Sequence, residues 1–184
     1  MSTVLVIAEH LGGKLNPSTG KCVTCAATVS GAAIDVVVFA ADGAAVAQEA
    51  ASLSGVRAVL RVDNPANAEP VAAVLAPQIT KLAANYTHVL GPSTTFGKDL
   101  MPRVAGLLGV NQVSDVMAVE GPHRFKRPIY AGNAILTIDV PPDAKVVATV
   151  RVASFEAAAT GGNAAVEAVA VEVPLPTHTR FVER

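Results

Sequence analysis

Short runs rich in Val, Ile and Leu alternate with Ala-rich stretches, and this alternation restricts the fold more than any other feature of the chain. "TVLVIA" (3–8), "IDVVVFA" (34–40), "VRAVLRV" (56–62), "THVLG" (87–91) and "QVSDVMAV" (112–119) read as strands. The first three are almost continuously apolar, the pattern of strands buried on both faces of a parallel sheet. Helix candidates lie between them, near 18–30, 43–54, 68–84 and 97–108. Successive strand–helix–strand crossovers of one hand wind such a chain into an open α/β sheet with helices on both faces. At 184 residues the chain is long enough for one main domain.

Turn and cap residues agree with these boundaries. Asp42 is placed to cap a helix starting at Gly43, Gly55 to end it, and Gly109 follows the fourth helix. Pro77 falls inside the third helical stretch, so a kink or a restart is expected there. After residue 120 the pattern changes. Runs at 125–131, 134–140 and 145–152 are strand-like and joined by "GN" and "PPDAK", which predicts an antiparallel hairpin extension of the parallel sheet. One more strand is expected at 167–173. The domain is thus expected over 1–173, and "PLPTHTRFVER" (174–184), with two prolines and no apolar period, reads as a linker.

Composition narrows the function. Fourteen basic and fifteen acidic side chains give a net charge of −1, with no basic tract and no Trp, so the concentrated positive face and stacking aromatics of nucleic-acid binding are not expected. The longest uncharged runs are shorter than the roughly 18–20 apolar residues of a membrane span. "MSTVLVIAEH" enters a strand almost at once, and the expectation is a bacterial, cytoplasmic location without a signal peptide. Cys22 and Cys25 lie among Val23, Ala26, Ala27 and Val29 at helical spacing, which favours packing over redox or zinc chemistry.

Catalytic constellations are scarce. His10, His88, His123 and His178 are dispersed, without HExxH or HxH, and neither GxGxxG nor GxxxxGK[ST] is present. Residues 91–95 also lack the second Gly of a nucleophile elbow. Glu9 and Asp115 adjoin strand ends, where solvation or capping is the ordinary role. The one candidate ligand site is the crossing after the fourth strand, where Ser93, Thr94, Thr95, Gly97 and Lys98 offer hydroxyls, a close-approach Gly and a cation to an anion at a helix start. Ordinary helix capping explains the same residues.

Several blocks carry a resemblance: "VLVIAEHLGGKL", "HVLGPSTTFGKDLMPRVAGLLGVNQVSDV" (88–116), "FKRPIYAGNAI" (125–135), "TVRVASFEAAA" (149–159) and "GGNAAVEAV" (161–169). In this order they are similar to the N-terminal domain of the electron-transfer flavoprotein α-subunit. The resemblance implies a three-layer, doubly wound, Rossmann-like domain of the adenine-nucleotide α-hydrolase kind. It also implies a non-enzymatic role in a heterodimer with a β-subunit, carrying electrons from acyl-CoA or other dehydrogenases to a quinone oxidoreductase. FAD is then expected in the complete heterodimer, held mostly by a second α-subunit domain, and no flavin-binding residue carries over to this chain. The family's adenine nucleotide sits in the β-subunit, so residues 93–98 are expected to cap a helix and shape a surface. The alternative is a free-standing adenine-nucleotide-binding module using that loop. Lys126, Arg127, Tyr130 and Arg151 are candidate interface residues, because Arg and Tyr anchor docking surfaces and their segment has no helical cover of its own.

Overall fold

The computed structural model describes residues 2–183. In chain order the elements begin with β1 (Thr3–Ile7), β2 (His10–Leu11), β3 (Lys14–Leu15), α1 (Pro17–Ala27), β4 (Ala33–Ala40), α2 (Ala44–Ala51) and β5 (Val56–Asp63). Then come α3 (Ala72–Leu82), β6 (His88–Pro92), α4 (Thr95–Leu108), β7 (Gln112–Val116), β8 (Ala118–Gly121) and β9 (Arg124–Ile129). The last three are β10 (Ala134–Asp139), β11 (Val146–Val150) and β12 (Ala165–Ala168). Seven strands form one parallel sheet in the order β12-β5-β4-β1-β6-β11-β7. The chain winds outward from β1 through β4 to β5, then returns to the other side of β1 as β6, which makes the β1/β6 boundary the point where strand order reverses.

Burial explains the three layers. Within β1, Val4 and Val6 enter a core shared with α1 and α2, whereas Leu5 and Ile7 enter a second core under α3 and α4. A strand whose alternate side chains both need cover cannot afford a polar residue mid-length, hence the continuous apolar runs. Cys22 and Cys25 are buried in the first core, as their helical spacing predicts, and burial pushes the Cys25 thiol up to about 12. The charge in "IDVVVFA" is Asp35, buried near the start of β4. It accepts hydrogen bonds from the Tyr86 hydroxyl at 2.7 Å and from Arg57 at 2.9 and 2.5 Å, which compensates its loss of water.

Three expectations change. The run 145–152 is not a third hairpin strand: β11 returns to the main sheet and lies parallel between β6 and β7. All five of its residues are buried, so "VVATV" carries the doubly buried pattern of an inner strand. The run 112–119 is two strands: Asp115 adopts φ 58° at an irregularity in the β7–β11 pairing, and after Val116, which still pairs with Val150, the chain passes into β8. The Asp115 amide finds the Thr149 hydroxyl at 2.9 Å. The last strand is β12, 165–168 rather than 167–173, paired parallel to β5. Helix α3 runs through Pro77 as one element. A short β2–β3 hairpin, turning on Gly12 and Gly13 with φ 58° and 74°, stands in "AEHLGGKLNP".

β8, β9 and β10 form the antiparallel extension, a three-stranded sheet with β10 at its edge. Phe125 of β9 is buried beside Val113, Val116 and Val150, so this small sheet covers the β7/β11 end of the face that α1 and α2 leave open. A buried histidine fastens it: His88 at the start of β6 donates from Nε2 to the Pro122 carbonyl at 2.6 Å, and its Nδ1 lies 2.8 Å from the Thr87 hydroxyl.

Burial lowers the His88 pKa below the ordinary imidazole value, with the nearby His123 and Lys145 charges acting in the same sense. The unfolded chain binds a proton below about pH 6.5 that the folded chain resists, so stability falls as pH drops from there. A His88→Gln variant is expected to be less stable than the parent at pH 8 yet to show a shallower loss of stability between about pH 6.5 and 5, measured by urea unfolding. Alkylation of Cys22 and Cys25 in the native protein at pH 8 is expected to be far slower than in urea, by mass spectrometry of the adducts.

Candidate functional site

The strand-order reversal brings together the ends of β1 and β6 and the starts of α1 and α4, the place where ligands enter folds of this kind. Asn16 caps α1 by accepting from the Ser18 amide at 2.9 Å. Thr94 caps α4, its hydroxyl 3.5 Å from the Gly97 amide. Gly97 is required for close approach: a Cβ there would sit 1.8 Å from the Pro92 carbonyl oxygen, so any larger residue would push α4 off the end of β6.

The group facing these two helix starts is a side chain of the protein. Glu9, just beyond β1, accepts a hydrogen bond from the Ser18 hydroxyl at 2.6 Å and another from the Thr94 hydroxyl at 3.1 Å, both on Oε2. Its amide donates to the Thr19 hydroxyl at 3.0 Å, and its carbonyl accepts from the Asn16 amide at 2.8 Å. A carboxylate so placed gains from the partial positive charge of both helix ends. It also presents to an incoming phosphate the wrong sign of charge.

The five residues singled out from sequence do not converge on one point. Thr94 turns to Glu9, the Ser93 hydroxyl is buried without a partner, and Gly97 packs on Pro92. Thr95 and Lys98 are exposed. A cleft of about 500 Å³ opens farther along the same rim, between the Gly12–Gly13 turn and Pro70. His10, Phe39, Asp42 and Glu69 also line it, and its carboxylates again oppose an anion. Among the described residues no group of three or more His, Cys, Asp or Glu is placed to hold a metal ion. No helix among them is long and apolar enough to cross a membrane.

The interface candidates divide. Lys126 pairs with Glu120 at 2.5 Å. Arg127 donates from Nε to the Ser114 carbonyl at 2.7 Å, and Arg151 reaches Asp115 at 3.3 Å, so both guanidiniums brace the corner where β7 leaves the main sheet. Tyr130 is 78% exposed at the tip of the β9–β10 hairpin. Beside it, Ile135 and Leu136 are 55% and 40% exposed, an apolar surface next to the charged residues of the hairpin base. No sequence signal marked it, since the near-continuous apolar run "AILTID" reads as a buried strand.

The capping geometry has a direct test. Thr94→Ala removes both the α4 cap and a Glu9 partner and is expected to cost about 0.5–2 kcal/mol. Lys98→Ala is expected to change stability by less than about 0.5 kcal/mol, since an exposed cation at a helix start gains nothing from the dipole. Urea midpoints of the two variants check both values.

Comparison with known proteins gives the family. A family model described as "Electron transfer flavoprotein domain" matches residues 4–176. Electron transfer flavoprotein subunit alpha of Pseudomonas aeruginosa is 48% identical over 167 residues, 90% of this chain and 53% of that protein. The Paracoccus denitrificans subunit alpha is 42% identical over 89% of this chain and 52% of its own length. The mitochondrial subunit alpha of Dictyostelium discoideum is 39% identical over 89% of this chain and 48% of its own length. The chain thus spans about half the length of the curated relatives it matches. Matched over nearly its whole length, and at this identity to α-subunits, the chain belongs to the electron transfer flavoprotein family, as an α-subunit N-terminal domain.

Proposed function

We propose that this domain is the scaffold of an electron-carrying α-subunit: it docks a β-subunit and braces the part of the protein that holds FAD. In this reading the complete heterodimer takes electrons from acyl-CoA or other dehydrogenases and passes them to a quinone oxidoreductase, in a bacterial cytoplasm. Residues 174–184 serve as the linker toward the flavin-holding part. The observation that carries the scaffold role is the Glu9 carboxylate bound between Ser18 and Thr94 at the strand-order reversal. FAD brings a doubly charged pyrophosphate, and the crevice offers it a carboxylate where it needs donors. The residues here therefore do not fit FAD, and no electron-transfer step is assigned to them. The same charge weighs against the alternative of a free-standing adenine-nucleotide module built on Ser93, Thr94, Thr95, Gly97 and Lys98.

Co-expression of the complete α-subunit with its β-subunit is expected to yield a yellow complex whose flavin a dehydrogenase reduces and a quinone acceptor reoxidises. The 184-residue chain alone is expected to purify colourless and to give no heat on titration with AMP or FAD. Stoichiometric flavin absorbance in the isolated chain, or micromolar AMP binding lost in Lys98→Ala, would refute the scaffold reading.

A further inference from the structure

His123 stands in the turn between β8 and β9, and its Nδ1 is buried with no hydrogen-bond partner among the described residues. A polar atom so placed has lost its water without a replacement. The adjoining imidazole does not supply one: the His88 ring lies 5.7 Å away between centroids and tilted by 45°, with Nε2 engaged by the Pro122 carbonyl and Nδ1 by the Thr87 hydroxyl.

Lys145, at the entry to β11, has a complementary need. It is half-buried, and its Nζ donates to the Ala83 carbonyl at 2.6 Å and to the Tyr86 carbonyl. An ammonium has three N–H groups, so one is left over. Among the described residues no carboxylate forms an ion pair with Lys145, and burial lowers its pKa below the ordinary lysine value. It is a desolvated cation without a full counter-charge.

Both groups line one cavity of about 340 Å³ where β1, β6 and β11 begin, the edge of the main sheet opposite to Glu9. Both also lie close enough to His88 for their charges to act on it. The hydroxyls on the wall already have partners, Thr3 the Asn85 carbonyl at 3.3 Å and Thr87 the Thr3 carbonyl at 2.9 Å. Ala84, Pro142 and Ala144 make the wall apolar elsewhere, and Asp143 adds an exposed carboxylate. Since a water takes about 30 Å³ of liquid, the cavity has room for roughly ten non-hydrogen atoms. That is more than a bare ion fills.

We propose that this cavity binds a small organic monocarboxylate, its oxygens accepting from His123 Nδ1 and from the free N–H of Lys145, and its apolar body lying against Ala84, Pro142 and Ala144. One negative charge answers one uncompensated cation, and a second would face Asp143. The site goes beyond the scaffold reading and does not depend on it, because every group in it belongs to this chain.

The test titrates the nitrogen-15-labelled chain with butyrate at constant ionic strength, and separately with phosphate, chloride and butylamine. Butyrate is expected to give saturable shifts at the amides of Asn85, Thr87, His123 and Ala144 and at the His123 ring nitrogens, with a Kd of about 1 mM or tighter. Phosphate is expected to bind at least about tenfold more weakly, and chloride and butylamine not to saturate these signals. His123→Ala and Lys145→Met are each expected to weaken butyrate about tenfold or more, and Asp143→Asn to tighten it about twofold. Shifts that never saturate overturn the proposal, as do equal shifts with chloride. Phosphate held as tightly as butyrate, or saturation by butylamine, overturns the monocarboxylate assignment. Parental affinity in a folded His123→Ala variant overturns the site itself, whatever Lys145→Met does to folding.

Discussion

A parallel sheet buried on both faces leaves polar chemistry nowhere to go but the strand ends, and the rest of this domain follows from that. The inner strands β1, β6 and β11 are apolar along most of their length because helices or the small sheet cover each side of them. The polar groups that are buried sit near the margins with partners in reach: Asp35 with Arg57 and Tyr86, His88 with Pro122, Thr149 with Asp115. An unpaired polar group at those positions would cost more than the contact gains.

At the C-terminal margin the same rule produces the Glu9 arrangement. Two helix starts present partial positive charge and free hydroxyls, and a negative group is the natural complement. The chain supplies that group from its own backbone continuation after β1, so it is tethered and never diluted. Anion affinity, the usual asset of this crevice, is thereby turned into internal cross-linking of β1, α1 and α4.

The small antiparallel sheet has one covered side and one open edge. Its inner side, through Phe125, finishes the cover that two helices cannot extend across a seven-stranded sheet. Its outer strand, β10, pairs with no second strand among the described residues. Arg127 and Arg151 bond to Ser114 and Asp115 near the end of β7, just before the chain passes from one sheet to the other.

The alternation of apolar runs with Ala-rich stretches was enough by itself to specify the doubly wound sheet, its four helices and the burial of Cys22 and Cys25, because those features depend on local periodicity and on which faces need cover. That a hydroxyl of Thr94 or Thr95 caps the fourth helix was legible for the same reason, being a matter of neighbours three residues apart, and the structure gives the cap to Thr94. The insertion of β11 between β6 and β7, the bond of the Asp115 amide to Thr149 and the meeting of Glu9 with Thr94 were decided only in three dimensions. Each joins residues separated by tens of positions, and a hydrogen bond across 85 residues leaves no period in the sequence. The open edge of β10 belongs to the same class, since whether a strand has a neighbour is a property of the whole sheet and not of the strand.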